Sequence, residues 1–383
     1  MFMDRKPGET LKIRFAYMDN IRSLVIFFVV AMHAAVTYSG FGGWYYIEGS
    51  SGNLSIPEMV FFGFFQSFIQ AWTMGILFFM SAYLTTKALA KRGTLNYLKE
   101  RLFRLGVPLL IYMFLIHPFI IFILLGIYSD RSLFDNYISY IVGFFWLDAT
   151  GPLWFVQVLL LFCIIYAIIK KLFPGSIKIN KITTINIVVI IAIITMVAFL
   201  VRLALPIGSS FLNLQFPYFP SYVVMFICGI LVGENNLLDK ITDVKNIKWL
   251  KLTFIIGIPL WAGTMLLGGA LEGKEYFNGG FHWQNFTFAL WESFTAISFS
   301  IGLFAFFKKK VNIDNKFTRL MRENAFGIYC FHAPILVAIS LILKNIILIP
   351  ILKFALILIL ASVSCLLFSF LIRKIRPIGI LYK

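Results

Sequence analysis

The chain is 383 residues long, 60% hydrophobic and only 13% charged, with a mean hydropathy of +0.88. These values exclude an ordinary soluble domain and a disordered chain, and call for a polytopic helical membrane protein. The formal charge of +17 would suit a nucleic-acid partner, but its distribution along the chain argues against one.

Ten apolar runs of membrane-crossing length are predicted, at about 22–40, 58–86, 104–128, 152–173, 183–205, 215–236, 249–272, 285–307, 322–343 and 349–373. The fold class is thus all-α, a bundle of about ten transmembrane helices. A charged leader and the lack of a small-x-small cleavage site argue against reading the first run as a signal peptide. Tyr137 to Leu147 is aromatic but too short to cross, so it is expected to lie in the interface or to re-enter. With no large loop or low-complexity linker, residues 1–383 read as a single integral membrane domain. The cysteines, Cys163, Cys228, Cys330 and Cys365, all fall inside apolar runs, without a CxxC pair or a Cys/His cluster. They read as small packed hydrophobes, and no metal site is expected.

The loops set the topology. With the amino terminus taken as cytoplasmic, 29 of the 34 basic residues fall on inner segments. These segments run from Arg5 to Arg22, Lys87 to Arg104, Lys170 to Lys181, Lys240 to Lys251, Lys308 to Arg322 and Arg373 to Lys383. The outer loops hold only Arg131, Lys274 and Lys344, while Arg202 and Lys353 sit near the outer ends of spans. This positive-inside pattern predicts cytoplasmic termini and a multi-pass protein of the cell's inner (plasma) membrane. The surplus charge is mostly topology, with added attraction for anionic lipid or an anionic cytoplasmic ligand.

Within this envelope, residues 19–35 read DNIRSLVIFFVVAMHAA. His33 follows Arg22 by eleven positions, roughly 20° past three helical turns, so the two share a face about 16 Å apart along the axis. His117 falls in the outer half of the third span, His282 in an outer loop, and His332 near the midplane of the ninth. Glu292 lies one to two turns into the eighth span from outside. Ionisable groups at such depth are costly and face a cavity or a partner. His117, just before Pro118, reads as hydrogen-bonded to a neighbouring helix. Arg202 reads as snorkelling outward or lining a cavity. Glu292 reads as the counter-ion of an arginine or histidine, or as a substrate-side group. The convergence of His33 and His332 on the outer half points to a polar cavity opening outward. The outer stretch GGWYY at 42–46 is either an interfacial belt or, through Trp44, a platform for a sugar ring. Arg101 and Arg104, three apart, either flank a span or fork onto phosphates.

Arg22, ten intervening residues and His33 resemble the signature of the acyltransferase-3 family of integral membrane acyltransferases. Other stretches follow in the family's order. Phe78 to Leu84 resembles its FFxxSG-type end of an early span, with Ala82 where glycine is usual. Arg101-Leu-Phe-Arg104, followed by Pro108, resembles its RxxR element. Pro152-Leu-Trp-Phe155 resembles its (P/H)LWF element, with Gln157 where many members carry glutamate. Ile328 to Pro334, IYCFHAP, resembles its IYxxHxP stretch. His117 and Glu292 match no family pattern. The opening DNIRS at 19–23 and the compact build are most similar to the branch that includes glucan succinyltransferases.

The resemblance implies transfer of an acyl group, acetyl or succinyl above all, from a cytoplasmic thioester donor to an extracytoplasmic hydroxyl. The donor is acyl-CoA, a co-substrate rather than a permanently bound cofactor. The acceptor is a glycan or glycolipid of the cell envelope. It implies that His33 acts as general base or carries an acyl-imidazole, and that His332 orients it or polarises the carbonyl. It implies that Arg22, Arg101 and Arg104 hold the donor's phosphates and that Trp154 lines the donor tunnel. The rival readings are a transporter and a flippase for a polyprenyl-linked sugar. Against them, the sequence shows no inverted repeat and few paired carboxylates, and only an acyltransferase consumes a thioester.

Overall fold

The structure is a computed structural model that describes residues 15–127, 129–375, 379, 381 and 382. The charged leader with Arg5, Lys6, Lys12 and Arg14, the expected end of the third span at 128, and Arg376 and Lys383 lie outside the described residues.

The chain is all-helical, with no strand among the described residues, and ten of its helices are long and apolar enough to cross a membrane. α1 is Ala16–Ser39 and α2 Ile56–Arg92. Ser55 and Glu58 form a capping box at the start of α2, and Gly93 ends it. At 37 residues α2 is about 55 Å long, well beyond a hydrocarbon core, so its basic last turn projects from the bilayer. α3 is Thr94–Leu124. It passes into π-helix at Leu102–Gly106, Tyr112–Ile116 and Phe119–Leu124, around Pro108 and Pro118, which lack the N–H an α-helical ladder needs. Tyrosines serve the loosened carbonyls: Tyr140 Oη donates to Met113 O at 2.6 Å and Tyr137 Oη to Phe114 O at 3.0 Å. Both come from α4, Leu133–Val142, ten residues long and too short to cross.

The remaining helices are α5 Trp154–Leu172, α6 Thr184–Ala204, α7 Phe219–Glu234, α8 Ile247–Leu267, α9 Trp283–Lys310, α10 Lys316–Ile342 and α11 Pro350–Ile372. α9 is the most buried of the spans and α11 the most lipid-exposed. α2 and α7 approach closely because Gly229 has no Cβ, which would lie 2.3 Å from Phe79 O.

Three helices begin well before their apolar runs: α1 at Ala16 rather than 22, α3 at Thr94 rather than 104, α10 at Lys316 rather than 322. Polar contacts at the helix starts extend α1 and α10. Asn20 Nδ2 donates to Val311 O at 2.7 Å and Ile313 O at 3.0 Å, and Asn315 caps α10 in a capping box with Thr318. Hydropathy marks where lipid begins, whereas these side chains decide where the helix does.

Candidate active site

α1 carries His33 toward its C-terminal end and stops at Gly40, left-handed at φ 69°. The following loop folds back over the helix: Glu48 N and Gly49 N both donate to Thr37 O at 2.9 Å. Gly49 permits this closeness, since a Cβ there would lie 2.0 Å from Tyr38 O. Glu48 is paired with Lys353 of α11, a nearly fully buried lysine that also donates to Lys344 O at 3.1 Å. The loop is thereby fastened at its far end, and its near end lays Trp44 on His33. Their rings stack with centroids 3.8 Å apart and planes 15° from parallel.

His332 of α10 lies beside them, fully buried, its ring centroid 5.2 Å from His33 and 6.1 Å from Trp44. These three distances put His332 at close to a right angle from the Trp44–His33 stacking direction, so it stands at the side of His33 rather than under it. His332 Nδ1 is 2.7 Å from Tyr329 O. A carbonyl only accepts, so the proton sits on Nδ1 and Nε2 keeps its lone pair. His332 Nε2, His33 Nδ1 and Trp44 Nε1 are buried without a hydrogen-bond partner among the described residues. Three unspent polar nitrogens on adjoining rings make this the candidate site.

The surroundings fix this group from three sides. Tyr329 Oη donates to Pro152 O, tying α10 to the Pro152–Phe155 element. Trp154 of that element lies against Tyr222 of α7, centroids 5.5 Å apart, and Tyr222 Oη accepts from Gln70 Nε2 at 2.9 Å. Gln157, one turn along α5, has a buried Oε1 without a partner among the described residues. Tyr45, next to Trp44, places its hydroxyl 2.7 Å from His117 Nδ1 and 3.1 Å from Tyr112 Oη. Gly151, at φ 47°, makes room for this cluster: a Cβ there would sit 2.5 Å from Tyr45 Oη.

Glu292 and Arg202 form a buried ion pair between α9 and α6. Arg202 does not snorkel outward: it is fully buried, over the rings of Tyr218 and Phe288 at 5.5 and 5.8 Å. Its Nε and Nη1 have no partner among the described residues. His282 is exposed, against Tyr276, and apart from this group.

The arginines near the N-terminal ends of α1 and α3 are arranged differently. Arg22 pairs with Asp19 at 3.4 Å, which also faces Arg322 at 3.9 Å. Arg22 and His33 share the continuous helix α1, about 16 Å apart along it, so they do not touch. Arg101 Nε donates to Tyr97 Oη at 3.2 Å, whereas Arg104 Nε pairs with Glu100 at 3.1 Å. The two arginines thus have separate partners and do not form a joint fork.

Sequence patterns located His33, His332, Trp154 and the stretches that hold Trp44, Tyr45 and Tyr329, but gave no reason to single out Tyr112, Gln70 or Tyr222, nor the tie that Lys353 makes. Each of these side chains has a partner 67 to 305 residues away, Tyr329 among them through Pro152, while the Tyr329 carbonyl also serves His332 three residues on. The one available signal was a polar tip inside an apolar run, and sixteen tyrosines dilute it.

No curated protein and no solved structure matches the chain. One family does: the acyltransferase-3 model, described as an acyltransferase domain, matches residues 15–374 and so takes in α1 through α11, with His33, His332, Arg22, Arg101 and Arg104. The chain belongs to the acyltransferase-3 family, as a multi-pass membrane protein whose family chemistry is acyl transfer.

Proposed function

We propose that this protein moves an acetyl or succinyl group from acyl-CoA, bound at the cytoplasmic face, to a hydroxyl of an envelope glycan on the opposite face. The observation that carries this reading is the pairing of His33 with His332 under Trp44. The positive-inside bias supports the orientation, with both termini cytoplasmic and the Trp44 loop outside. Arg22, Arg101 and Arg104 then stand on the donor's side, where the phosphates of CoA need cations. Trp154 lines the path of the pantetheine arm, and Glu292 and Arg202 lie on the acceptor side.

The tautomer of His332 supports one division of roles. Neutral, with its proton on Nδ1, it offers only a lone pair at Nε2 and cannot donate to a thioester carbonyl. It can accept from His33. His33 Nδ1–H donates to His332 Nε2, the two unpartnered nitrogens of rings 5.2 Å apart, a bond that tightens when substrate binds. His33 Nε2 is then the free base. It takes the proton of the acceptor hydroxyl as that oxygen attacks the thioester carbonyl carbon. The C–S bond breaks, and the proton passes on to the leaving thiolate, giving the ester and free CoA. Trp44 roofs the base against water, which would otherwise hydrolyse the thioester.

The test uses inverted and right-side-out membrane vesicles with radiolabelled acetyl-CoA or succinyl-CoA on the cytoplasmic face. Label should appear in glycans on the other face with the native protein and not with His33→Ala. A well-folded protein that consumes neither thioester would overturn the proposal.

A further inference from the structure

Of the three unpartnered nitrogens at the histidine pair, the relay uses two and leaves one. His332 Nε2 carries a lone pair and only accepts, because its proton is on Nδ1 toward Tyr329 O. In the relay His33 Nδ1–H donates to it, which leaves His33 Nε2 as the base. The third nitrogen is Nε1 of Trp44, which can only donate and is buried with no acceptor among the described residues. An indole N–H in a membrane protein commonly points at the headgroups, but this one is enclosed by protein. Trp72 and Trp261 also have unpartnered indole nitrogens, yet their rings meet phenylalanines, Phe28 and Phe299 for the one and Phe64 for the other. The Trp44 ring lies on a base.

The three rings are nearly parallel, each pair within 21°. An indole N–H and an imidazole lone pair both lie in the planes of their rings. The Trp44 donor and the His33 base therefore work in two layers, with ring centroids 3.8 Å apart. A thioester carbonyl beside them can have its carbon next to the base-held hydroxyl and its oxygen on the indole N–H, each about 3 Å from its partner. The indole is also held in advance. Tyr45, the next residue, places its hydroxyl 2.7 Å from His117 Nδ1 and 3.1 Å from Tyr112 Oη, and Glu48 is paired with Lys353. A donor fixed before the reaction costs no reorganisation as charge develops, and in a dry site it interacts strongly.

We infer that Trp44 is a catalytic residue, whose indole N–H holds the thioester carbonyl oxygen and stabilises the oxyanion that forms on it. The inference rests on the acyltransferase reading and supplies what the two histidines lack, since neither has an N–H left to donate. As the acceptor oxygen bonds to the carbonyl carbon, its proton passes to His33 Nε2 and the π pair of the carbonyl moves onto oxygen, against Trp44 Nε1–H. When that pair returns, the C–S bond breaks with its electrons on sulfur, and the proton on His33 Nε2 goes to the thiolate. The ring of Trp44 keeps water out, and its nitrogen answers the charge.

The experiment changes one group. Benzothienylalanine in place of Trp44 keeps the size and stacking of the indole and puts sulfur where the N–H was. In the vesicle assay it should lower kcat for acyl transfer by about 10²-fold, with the KM for acetyl-CoA within about twofold and the melting temperature within a few degrees. Trp44→Phe should act likewise and lower acetyl-CoA hydrolysis in parallel, because it keeps a ring over the base. Trp44→Ala instead admits water, which can donate in the indole's place. The same analogue in place of Trp72, whose ring meets phenylalanines, should leave kcat within about twofold. Dithioacetyl-CoA gives a second readout, since its C=S accepts hydrogen bonds poorly. The native protein should strongly prefer acetyl-CoA over it, and the analogue at Trp44 should lose most of that preference. A kcat unchanged by the analogue, a rise in KM alone, or an undiminished preference for acetyl-CoA would overturn the inference. Each of these is read against a native protein that transfers acyl groups. A native protein that consumes no thioester would instead sink the acyltransferase reading, so the two failures are told apart.

Discussion

The histidine end and the arginine end of the bundle are built on opposite principles. At the outer site, nitrogens of His33, His332 and Trp44 are buried with no partner among the described residues, held there by contacts from distant segments. At the inner face, Arg22, Arg101 and Arg104 are at least partly exposed and each has a partner three or four residues away. Unspent polar atoms in a dry setting are expensive and strongly interacting, the condition for chemistry. Exposed, locally paired cations are cheap and interchangeable, the condition for gathering an anionic donor and for orienting the chain. Substitutions at the two ends should therefore fail in different ways.

The largest effect is expected at His33. His33→Ala should lower acyl transfer by about 10³-fold, the scale of a lost general base, while the protein still inserts and keeps its melting temperature within a few degrees. His332→Ala should cost about 10²-fold, because it removes only the acceptor that orients His33. In the native protein turnover should fall as the pH drops, since protonation of either imidazole breaks the relay. Loss of folding with either variant would make the pair structural and dissolve the contrast.

Next comes the buried ion pair. Arg202→Ala leaves Glu292 charged and unpaired inside the bundle, a loss of about 3–5 kcal/mol of stability. Arg202→Met combined with Glu292→Leu should recover most of it, measured as detergent melting temperature. A double variant that is stable yet inactive would place the pair on the acceptor path; one that is stable and active would leave it a fastener of α6 to α9.

A smaller effect tests the roof. Trp44→Ala should raise acyl-CoA hydrolysis without acceptor and lower transfer to acceptor, changing their ratio by about tenfold. Lys353→Met, which releases Glu48 at the far end of the same loop, should shift the ratio the same way but less. Both rates falling together would mean that Trp44 only packs.

The spans were legible in the sequence because the bilayer imposes one rule along the whole chain: about twenty apolar residues, positive flanks inside. His33 and His332 were legible as costly groups at depth, and so was Glu292, whose expected counter-ion, an arginine or a histidine, proved to be Arg202. Their environment was not. Nothing local in GGWYY says that Trp44 lies on His33, because the cause is remote: Lys353, 305 residues on, holds Glu48 and with it the loop. The proton on His332 Nδ1 was equally hidden, since it follows from a carbonyl three residues back that only the helical geometry brings within 2.7 Å. The π-helical course of α3 also escaped, although Pro108 and Pro118 were its visible cause.

The smallest effect is expected at the inner face, where the two arginines of Arg101-Leu-Phe-Arg104 can be told apart. Arg101 leans on Tyr97, centroid distance 5.2 Å, and has no carboxylate partner among the described residues, so its charge is available to a phosphate. Arg104 shares Glu100 with Arg92 and has part of its charge already answered. Arg101→Ala should therefore raise the KM for acyl-CoA by about tenfold with kcat nearly unchanged, and Arg104→Ala by only a few-fold. Glu100→Gln should do the reverse and lower that KM about twofold, because it frees two cations; the gain should fade as ionic strength rises. If Arg101→Ala lowered kcat instead, the inner face would share in the chemical step, and the division between an end that gathers and an end that reacts would not hold.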